Sequence, residues 1–257
     1  MCMERITSKS NQLVKDIKRL ITSSGERAEK GLFVLEGARL CFDVLNSAYS
    51  VKYFLITDSA FEKYNKEAKE LIKLSESSYY ISREVSEKLS DTKSPQGVFA
   101  VCEIKKTNEK LSDKVIALDN VQDPANIGAI FRTAEALGIK SIITHNCCDI
   151  YNPKTLRASM GGVLRLAPEE SDNLEKTLKE LKSEYKIYST VPDENAVRIT
   201  DIDFSTPCVC VIGNEANGVS EEVKAASDKL VTIPMLGNAE SLNASVAAAL
   251  TMWEMLR

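Results

Sequence analysis

The hydrophobic positions along the first part of the chain switch between a helical period and a strand period. Residues 10–22 (SNQLVKDIKRLIT) place Leu13, Ile17, Leu20 and Ile21 on one helical stripe. After Gly31, short β-branched or aromatic runs alternate with helical patterns. These runs predict strands at 32–36, 51–57, 79–82 and 97–104, and helices at 38–48, 59–75 and 83–91. The alternation indicates a small α/β layer domain.

A second alternation begins with the buried strand pattern VIALDNV, residues 115–121. It predicts strands at 140–145, 186–191, 207–212 and 229–234, and helices at 127–137, 153–161, 172–184, 220–227 and 241–256. This order is typical of a mostly parallel sheet, in which ligands bind at the carboxyl ends of the strands. Seven of the twelve residues at 103–114 are charged, so we expect a linker there. The predicted domains are therefore 1–105 and 112–257.

The charge differs between the two halves of the chain. Residues 1–110 carry 19 Lys and Arg against 16 Asp and Glu, whereas residues 111–257 carry 14 against 21, within a net charge of -4. A net negative chain argues against a nucleic-acid partner, but a basic front half can still contact a polyanion. The candidates for that contact lie along and after the first helix: Lys9, Lys15, Lys18, Arg19 and Arg27, with Lys30 beside them. An ordinary solvated helix face is the alternative.

Composition limits the remaining function classes. With 257 residues and 44% hydrophobic residues the chain can bury a real core, and it has neither an apolar stretch long enough to span a bilayer nor a signal-peptide pattern at its start. We therefore expect a cytosolic protein. The spacing of the seven cysteines does not fit zinc knuckles and predicts buried free thiols. The single histidine, His145, ends a strand pattern and is interpreted as structural, which leaves no metal site.

The first of three polar loops is NVQDPANIGAIFRTAEALGI, residues 120–139. Asp123 and Pro124 predict a turn, and Asn126 is a candidate cap for the helix that follows. Arg132 lies about 140° round that helix from Ile127, so it faces away from much of the apolar stripe. A lone helical arginine is usually a surface charge. Its place within two turns of a helix start at a strand end makes it a functional candidate.

The second loop lies in CVIGNEANGVSEE, residues 210–222. Gly213, Gly218 and Ser220 fit a phosphate-binding loop, but Val219 stands where that motif needs lysine. Without the lysine, and with Glu215 present, a nucleotide triphosphate is a poor ligand. The loop suits a ligand with a positive centre and a flat ring, and we expect Gly213 to let the backbone approach it closely.

The third loop belongs to residues 232–256, TIPMLGNAESLNASVAAALTMWEML. The strand pattern ends at Pro234, Gly237 permits a tight turn, and Ser241 is a candidate helix cap. Small side chains at 244, 247 and 248 allow close packing on a neighbouring helix or ligand loop. A plain C-terminal helix is the alternative.

The three segments together resemble the signature motifs of the SpoU/TrmH branch of the SPOUT methyltransferases: NVQDPANIGAIFRTAEALG, IGNEANGVS and IPMLGNAESLNASVAAAL. Residues 152–167 (NPKTLRASMGGVLRLA) are similar to the family's segment between motifs, and the front half resembles its ribosomal-protein-like substrate-binding domain. The resemblance implies an α/β methyltransferase domain with a deep C-terminal trefoil knot, preceded by a smaller α/β RNA-binding domain. It also implies a homodimer.

The resemblance further implies S-adenosylmethionine as methyl donor and an RNA ribose 2′-hydroxyl as acceptor. Arg132 matches the family's catalytic arginine, and the other motif polar positions are Asn126, Glu215, Ser241 and Asn243. The donor would lie against Ile212, Gly213, Asn214, Ile233, Met235, Gly237 and Leu242. Because a guanidinium is a poor base, we expect Arg132 to orient the hydroxyl or a phosphate, with base action left open.

The resemblance favours ribosomal RNA over transfer RNA as the substrate, because the front domain is similar to those of ribosomal-RNA enzymes. A transfer-RNA methyltransferase remains an alternative. Two other classes are less well supported. A phosphate-loop hydrolase fails on Val219. A non-catalytic RNA-binding module leaves the three loops unexplained.

Overall fold

The computed structural model describes residues 3–105, 110–166 and 168–257. They form two compact units: the first holds the residues up to Lys105 together with Tyr151–Arg165, and the second holds the remainder. Residues 106–109 of the expected linker, Ala167 of the segment between motifs and Cys2 lie outside the described residues. The segment Tyr151–Arg165, which falls inside the range expected for the second domain, belongs to the first unit.

The first unit is built on a five-stranded sheet; elements are numbered in chain order through both units. Its strands are β1 (Glu4–Ile6), β2 (Leu32–Glu36), β3 (Val51–Ile56), β4 (Ser75–Ile81) and β5 (Val98–Glu103), in the order β1-β4-β3-β5-β2. Strands β1, β4 and β3 pair in parallel, and β5 runs antiparallel to β3 and β2. Its helices are α1 (Gln12–Thr22), α2 (Ser24–Lys30), α3 (Ala38–Asp43), α4 (Asp58–Lys63), α5 (Asn65–Leu74), α6 (Arg83–Leu89), α8 (Pro153–Ser159) and α9 (Gly162–Arg165).

Helix α1 buries the stripe that its sequence predicts. Val14, Ile17, Leu20 and Ile21 join one hydrophobic cluster with residues of β2, β5 and α6, and Leu13 packs at its edge. The side chain of Asn11 accepts a hydrogen bond from the backbone N–H of Leu13 and so caps the helix start. The apolar period of this segment is therefore explained by one buried face.

The segment Tyr151–Arg165 contributes to the interior of the first unit. The ring of Tyr151 lies 4.6 Å from that of Phe33, centroid to centroid, and its hydroxyl is 3.2 Å from the hydroxyl of Tyr49. On α8, Arg157 donates to the carboxylate of Asp91 at 2.8 Å. These aromatic contacts make Tyr151, which is 7% exposed, part of the buried interior of the first unit.

The second unit contains a seven-stranded sheet in which every pairing is parallel. Its strands are β6 (Lys114–Asp119), β7 (Ser141–His145), β8 (Glu169–Glu170), β9 (Lys186–Thr190), β10 (Val197–Arg198), β11 (Cys208–Ile212) and β12 (Lys229–Thr232), in the order β10-β12-β9-β11-β6-β7-β8. Its helices are α7 (Pro124–Leu137), α10 (Leu174–Leu181), α11 (Glu221–Ala226) and α12 (Ala244–Leu256). The predicted α/β class and parallel sheet are confirmed, while the knot stays a prediction.

Two further expectations concern membranes and metals. Within residues 3–105, 110–166 and 168–257, no helix combines the length and apolar character that a membrane span requires. The same residues contain no group of three or more His, Cys, Asp or Glu that could hold a metal ion. Four free thiols are buried (Cys41, Cys102, Cys208 and Cys210), whereas those of Cys147 and Cys148 are half-buried.

Candidate active site

The three loops follow strands β6, β11 and β12 of the second unit, at the carboxyl end of each. In the first loop, the carboxylate of Asp123 accepts from the backbone N–H of Ala125 at 2.9 Å and caps α7, with Pro124 as the first helical residue. The expectation that Asn126 caps this helix is therefore wrong. Asn126 lies in the first turn with only 5% of its surface exposed.

The amide of Asn126 joins all three loops. Its Nδ2 donates to Glu215 Oε1 of the second loop at 2.9 Å, and its Oδ1 accepts from Asn243 Nδ2 of the third loop at 2.9 Å. Both ends of a buried amide are thus occupied by protein partners. The arrangement makes Asn126 a structural bridge between the segments that flank the site.

Glu215 fastens the second loop to the first. Besides the bond from Asn126, its carboxylate accepts from the backbone N–H of Gln122 at 3.2 Å and of Asp123 at 3.1 Å. Burial raises the pKa of Glu215, but the hydrogen bonds from Asn126 and the backbone prevail and hold this pKa below its ordinary value. The carboxylate is therefore ionised at neutral pH and serves as an acceptor.

Gly213 is required by the loop itself. Asn214 and Gly218 exchange backbone hydrogen bonds, each of 2.9 Å, so the chain turns back on Gly213. A Cβ at Gly213 would lie 2.2 Å from the carbonyl carbon of Gly218 and 2.2 Å from the nitrogen of Val219. The loop therefore needs glycine here for the close approach of its own backbone. Gly213 also lines the cavity described below, and its close approach to a ligand stays a prediction.

The third loop ends at Asn243, which caps α12. Its Oδ1 accepts from the backbone N–H of Ser245 at 2.9 Å and of Val246 at 3.3 Å. The expectation that Ser241 caps this helix is wrong, because the helix begins at Ala244, three residues later. Asn243 thus caps α12 with its oxygen while its nitrogen holds Asn126.

The second and third loops, together with residues 190–192 at the end of β9, line an open cavity of about 380 Å³. Its charged lining residues are Glu215, Glu240 and Lys224, and Lys224 is paired with Glu221 at 2.8 Å. The sequence-predicted residues that line it are Ile212, Gly213, Asn214, Glu215, Ile233, Met235, Ser241 and Leu242. Gly237, Asn126, Asn243 and Arg132 are outside this lining. The cavity is apolar on several sides and carries a net negative charge.

Arg132 lies on the exposed part of α7. No hydrogen bond or ion pair to Arg132 occurs among residues 3–105, 110–166 and 168–257. Its guanidinium therefore has all its donors available to a ligand.

The predicted basic surface of the first unit is partly wrong. Arg27 is 3% exposed, and its Nη1 donates to the carbonyl oxygens of Leu20 at 2.5 Å and Ile21 at 3.2 Å, so it closes the end of α1 instead of facing a ligand. Arg19 pairs with Asp16, and Lys18 donates to the carbonyl oxygen of Leu89.

Lys9 and Lys15 are exposed as expected. The helical stripe locates α1 correctly, but it does not reveal that Arg27, five residues beyond the end of that helix, turns inward.

The sequence patterns do not single out two polar residues of the site, Asp119 at the end of β6 and Gln122 in the loop that follows. Asp119 is 2% exposed and accepts both the backbone N–H and the hydroxyl of Ser220. The side-chain nitrogen of Gln122 donates to Asn146 O at 2.6 Å and to Asn120 Oδ1 at 2.7 Å. A carboxylate as the last residue of a buried strand is the sequence signal that points to Asp119.

The chain is similar to known methyltransferases over both units. A model of the SpoU rRNA Methylase family matches residues 113–253, and a model of the MRM3-like substrate binding domain matches residues 11–100. The Bacillus subtilis 23S rRNA (guanosine(2553)-2′-O)-methyltransferase RlmP is 32% identical over 255 residues, which cover 98% of this chain and 99% of the relative.

Two solved structures share this fold. An AdoMet-bound rRNA methyltransferase from Sinorhizobium meliloti is 26% identical, with a TM-score of 0.88 over 98% of this chain and 97% of its own. The SpoU methyltransferase AviRb from Streptomyces viridochromogenes, in complex with AdoMet, is 25% identical, with a TM-score of 0.83 over 96% of this chain and 97% of its own. The family match spans more than half of the sequence, so the chain belongs to the SpoU rRNA methylase family.

Proposed function

We propose that this protein transfers a methyl group from S-adenosylmethionine to a ribose 2′-hydroxyl of ribosomal RNA. The observation that carries the proposal is the cavity between the second and third loops, which gathers most of the residues expected to hold the donor. The Bacillus subtilis relative, matched over nearly its full length, is a 23S rRNA 2′-O-methyltransferase. A cytosolic location agrees with this substrate and stays a prediction.

The residues around the cavity fit this donor in size and charge. About 380 Å³ lies within the range of small-molecule sites, and Ile212, Ile233 and Leu242 offer apolar surface to an adenine ring. Glu215 and Glu240 give the cavity a negative potential, which favours a ligand with a positive centre. Bound there, S-adenosylmethionine supplies a methyl group activated by a sulfonium sulfur.

We assign Asn126, Glu215 and Asn243 to positioning and not to contact with the acceptor. The amide of Asn126 is hydrogen-bonded at its nitrogen to Glu215 and at its oxygen to Asn243. The carboxylate of Glu215 also accepts hydrogen bonds from two backbone N–H groups. Together they fix the start of α7 relative to the two donor loops. A methyl transfer needs in-line placement of the acceptor oxygen, and a fixed α7 contributes to that placement.

We assign Arg132 to the acceptor. Its guanidinium is exposed and outside the cavity lining, which supports contact with RNA that approaches from solvent. A guanidinium donates hydrogen bonds to phosphate in a bidentate manner and keeps its proton at neutral pH. It therefore orients the ribose or an adjacent phosphate.

We further propose that the first unit contacts RNA through the exposed lysines at the start of the chain. Lys9 and Lys15 are exposed, whereas Arg27 is buried and Arg19 is partly neutralised by Asp16. Phosphate contacts by free lysines provide sequence-independent affinity that decreases with salt.

Helix α12 supports a homodimer. Val246, Leu250, Trp253 and Leu256 follow each other at helical spacing and are 46%, 42%, 62% and 46% exposed. Full burial of a large apolar side chain is worth about 1.5–3 kcal/mol, and because these side chains are about half exposed, each contributes roughly half of that to an interface. Met255 lies on the same helix but is 2% exposed, so it belongs to the interior and not to this surface. Light scattering should give a dimer for the wild type and a monomer for Trp253→Glu.

A dimer would let Arg132 of one chain act beside the donor cavity of the other. Co-expression of Arg132→Ala and Gly213→Ala chains with two different tags gives heterodimers in which one site combines an intact arginine and an intact donor loop. Activity above that of the two parent homodimers is expected. Activity no higher than theirs would exclude shared sites.

Calorimetry with S-adenosylmethionine tests the proposed function directly. The protein should bind the donor and its demethylated product, and it should not bind ATP, since the loop has Val219 in place of lysine. Mapping of 2′-O-methyl groups in RNA from cells with and without the gene should then reveal a ribosomal-RNA site. Tight ATP binding without donor binding, or a lost methyl group only in transfer RNA, would contradict the proposal.

A further inference from the structure

Asp119 is a buried carboxylate at the point where β6 ends and the first loop begins. Its Oδ2 accepts the backbone N–H of Ser220 at 2.8 Å and the hydroxyl of Ser220 at 2.7 Å. A buried carboxylate is stabilised only where donors surround it, because an unpaired buried charge is costly. Both of these donors come from one residue, which lies 101 positions later in the chain.

The hydroxyl of Ser220 bonds to Asp119 instead of capping the helix that follows. It occupies the N-cap position of α11, yet its side chain makes no capping hydrogen bond within that helix. A serine at this position normally accepts from the first helical turn and stabilises the helix. The hydroxyl instead points at Asp119, so the contact anchors the end of the second loop.

The other end of the same loop is also anchored beside Asp119. Asn214 Nδ2 donates to the carbonyl oxygen of Asn120 at 2.8 Å, and Asn120 has a left-handed backbone with φ 59°. The loop between the two anchors contributes Gly218 and Val219 to the cavity lining. Two successive residues of β6 and its loop therefore fix both ends of the cavity wall.

We propose that Asp119 and Ser220 are positioning residues for donor binding, an inference that rests on the proposed function. The pair holds the loop from Gly213 to Val219 in its binding conformation before the donor arrives. A preformed loop loses less conformational entropy when the donor binds, and this favours binding. Loss of the pair should therefore weaken donor affinity more than it weakens the fold.

Substitution of Ser220 by alanine or by threonine distinguishes a role in donor binding from a role only in the stability of the fold. Ser220→Ala removes the hydroxyl and should raise the donor Kd by about tenfold or more, the scale of a hydrogen bond to a charged group. Ser220→Thr keeps a hydroxyl and should remain within about threefold of the wild type. Asp119→Asn keeps an acceptor oxygen without the charge and should fall between them.

Ser227 offers a matched control at the other end of α11. Its hydroxyl lies 2.7 Å from that of Ser189 and donates to the carbonyl oxygen of Val223 at 2.9 Å, and Ser227 is outside the cavity lining. Ser227→Ala should lower the melting temperature about as much as Ser220→Ala while leaving the donor Kd unchanged. Calorimetry and thermal unfolding on the full-length protein measure both quantities.

Three results are distinguishable. The inference is overturned if Ser220→Ala and Ser227→Ala lose similar stability and neither changes the donor Kd, because the pair is then only structural. It is equally overturned if Ser220→Thr is as weak as Ser220→Ala. A wild-type protein that binds no donor would refute the proposed function instead. If Asp119→Asn does not fold, the three serine variants still decide the question.

Discussion

Replacement of Gly213 by alanine should displace the loop that follows it and so weaken donor binding. The added Cβ would lie 2.2 Å from two backbone atoms, one in Gly218 and one in Val219. Non-bonded contacts ordinarily lie at about 3.5–4.0 Å, so the loop has to move by about 1.3 Å or more. Because neither atom belongs to a flexible side chain, no rotamer change can relieve the overlap.

Overpacking of this kind typically costs about 1–3 kcal/mol. The reciprocal backbone bonds between Asn214 and Gly218 resist the movement, so we expect the upper part of that range. If the bound state must recover the original loop, about 2–3 kcal/mol raises the donor Kd by about 30- to 140-fold.

Calorimetry with S-adenosylmethionine measures this change, and thermal unfolding shows how much of the strain remains in the fold. Gly25→Ala in α2 is the control, since the nearest heavy atom to its added Cβ is 3.7 Å away. We expect that control to keep the wild-type Kd. A Gly213→Ala protein that binds the donor within twofold of the wild type and melts at the same temperature would refute the steric argument.

Three other predictions concern single side chains. Arg132→Ala should leave the donor Kd near normal while single-turnover methyl transfer falls by about two orders of magnitude or more, and near-normal turnover would contradict its role. The pKa of Glu215 is lowered in the folded protein, so its contribution is present above the ordinary glutamate pKa and is lost as the pH falls through the folded value. Donor affinity should therefore weaken on acidification, and Glu215→Gln should flatten that dependence; an unchanged pH profile would exclude this role. Arg27→Met should lower the free energy of unfolding by about 1–3 kcal/mol, since two carbonyl oxygens lose their donor. In RNA filter binding, Arg27→Met should lower the RNA affinity less than Lys15→Ala does. The reverse order would show that Arg27 contributes to RNA binding after all.

Periodic sequence patterns predict the elements of this fold well because each pattern reports one buried face. The stripe of α1 and the buried runs of β2, β6 and β11 lie close to their expected positions. Helix α2 has no such stripe: it is a short, charged helix that begins at the cap of Ser23 and ends at Gly31 with φ 61°. The predicted helix 59–75 is divided at Tyr64 into α4 and α5.

Helix starts were less predictable because several polar residues compete for each cap. In the first loop Asp123 precedes Asn126, and in the third loop Asn243 follows Ser241, so composition alone allows either residue. Tertiary contacts decide the choice. Asn126 is drawn inward by Glu215, and Asn243 caps α12 while it holds Asn126.

Several residues of the site are defined by contacts across long stretches of chain. Glu215 meets the first loop across about ninety residues, and Ser220 meets Asp119 across 101. The periodic pattern of hydrophobic residues within one helix or strand carries no information about contacts at such sequence separations. The motif resemblance locates the three loops and helical geometry turns Arg132 away from the apolar stripe, whereas the role of Asn126 as a bridge is visible only in the folded chain.

The discontinuity of the first unit has a consequence for biosynthesis. The ring of Tyr151 packs on Phe33, so this core is not complete when residue 105 has been translated. At about 5–20 residues per second, the nascent chain must wait several seconds for Tyr151–Arg165 to emerge. During that interval the partly assembled sheet exposes an aromatic surface to chaperones. The N-terminal half of this protein is therefore not an autonomous folding module on the ribosome, and its completion depends on synthesis of the segment that follows the first methyltransferase motif.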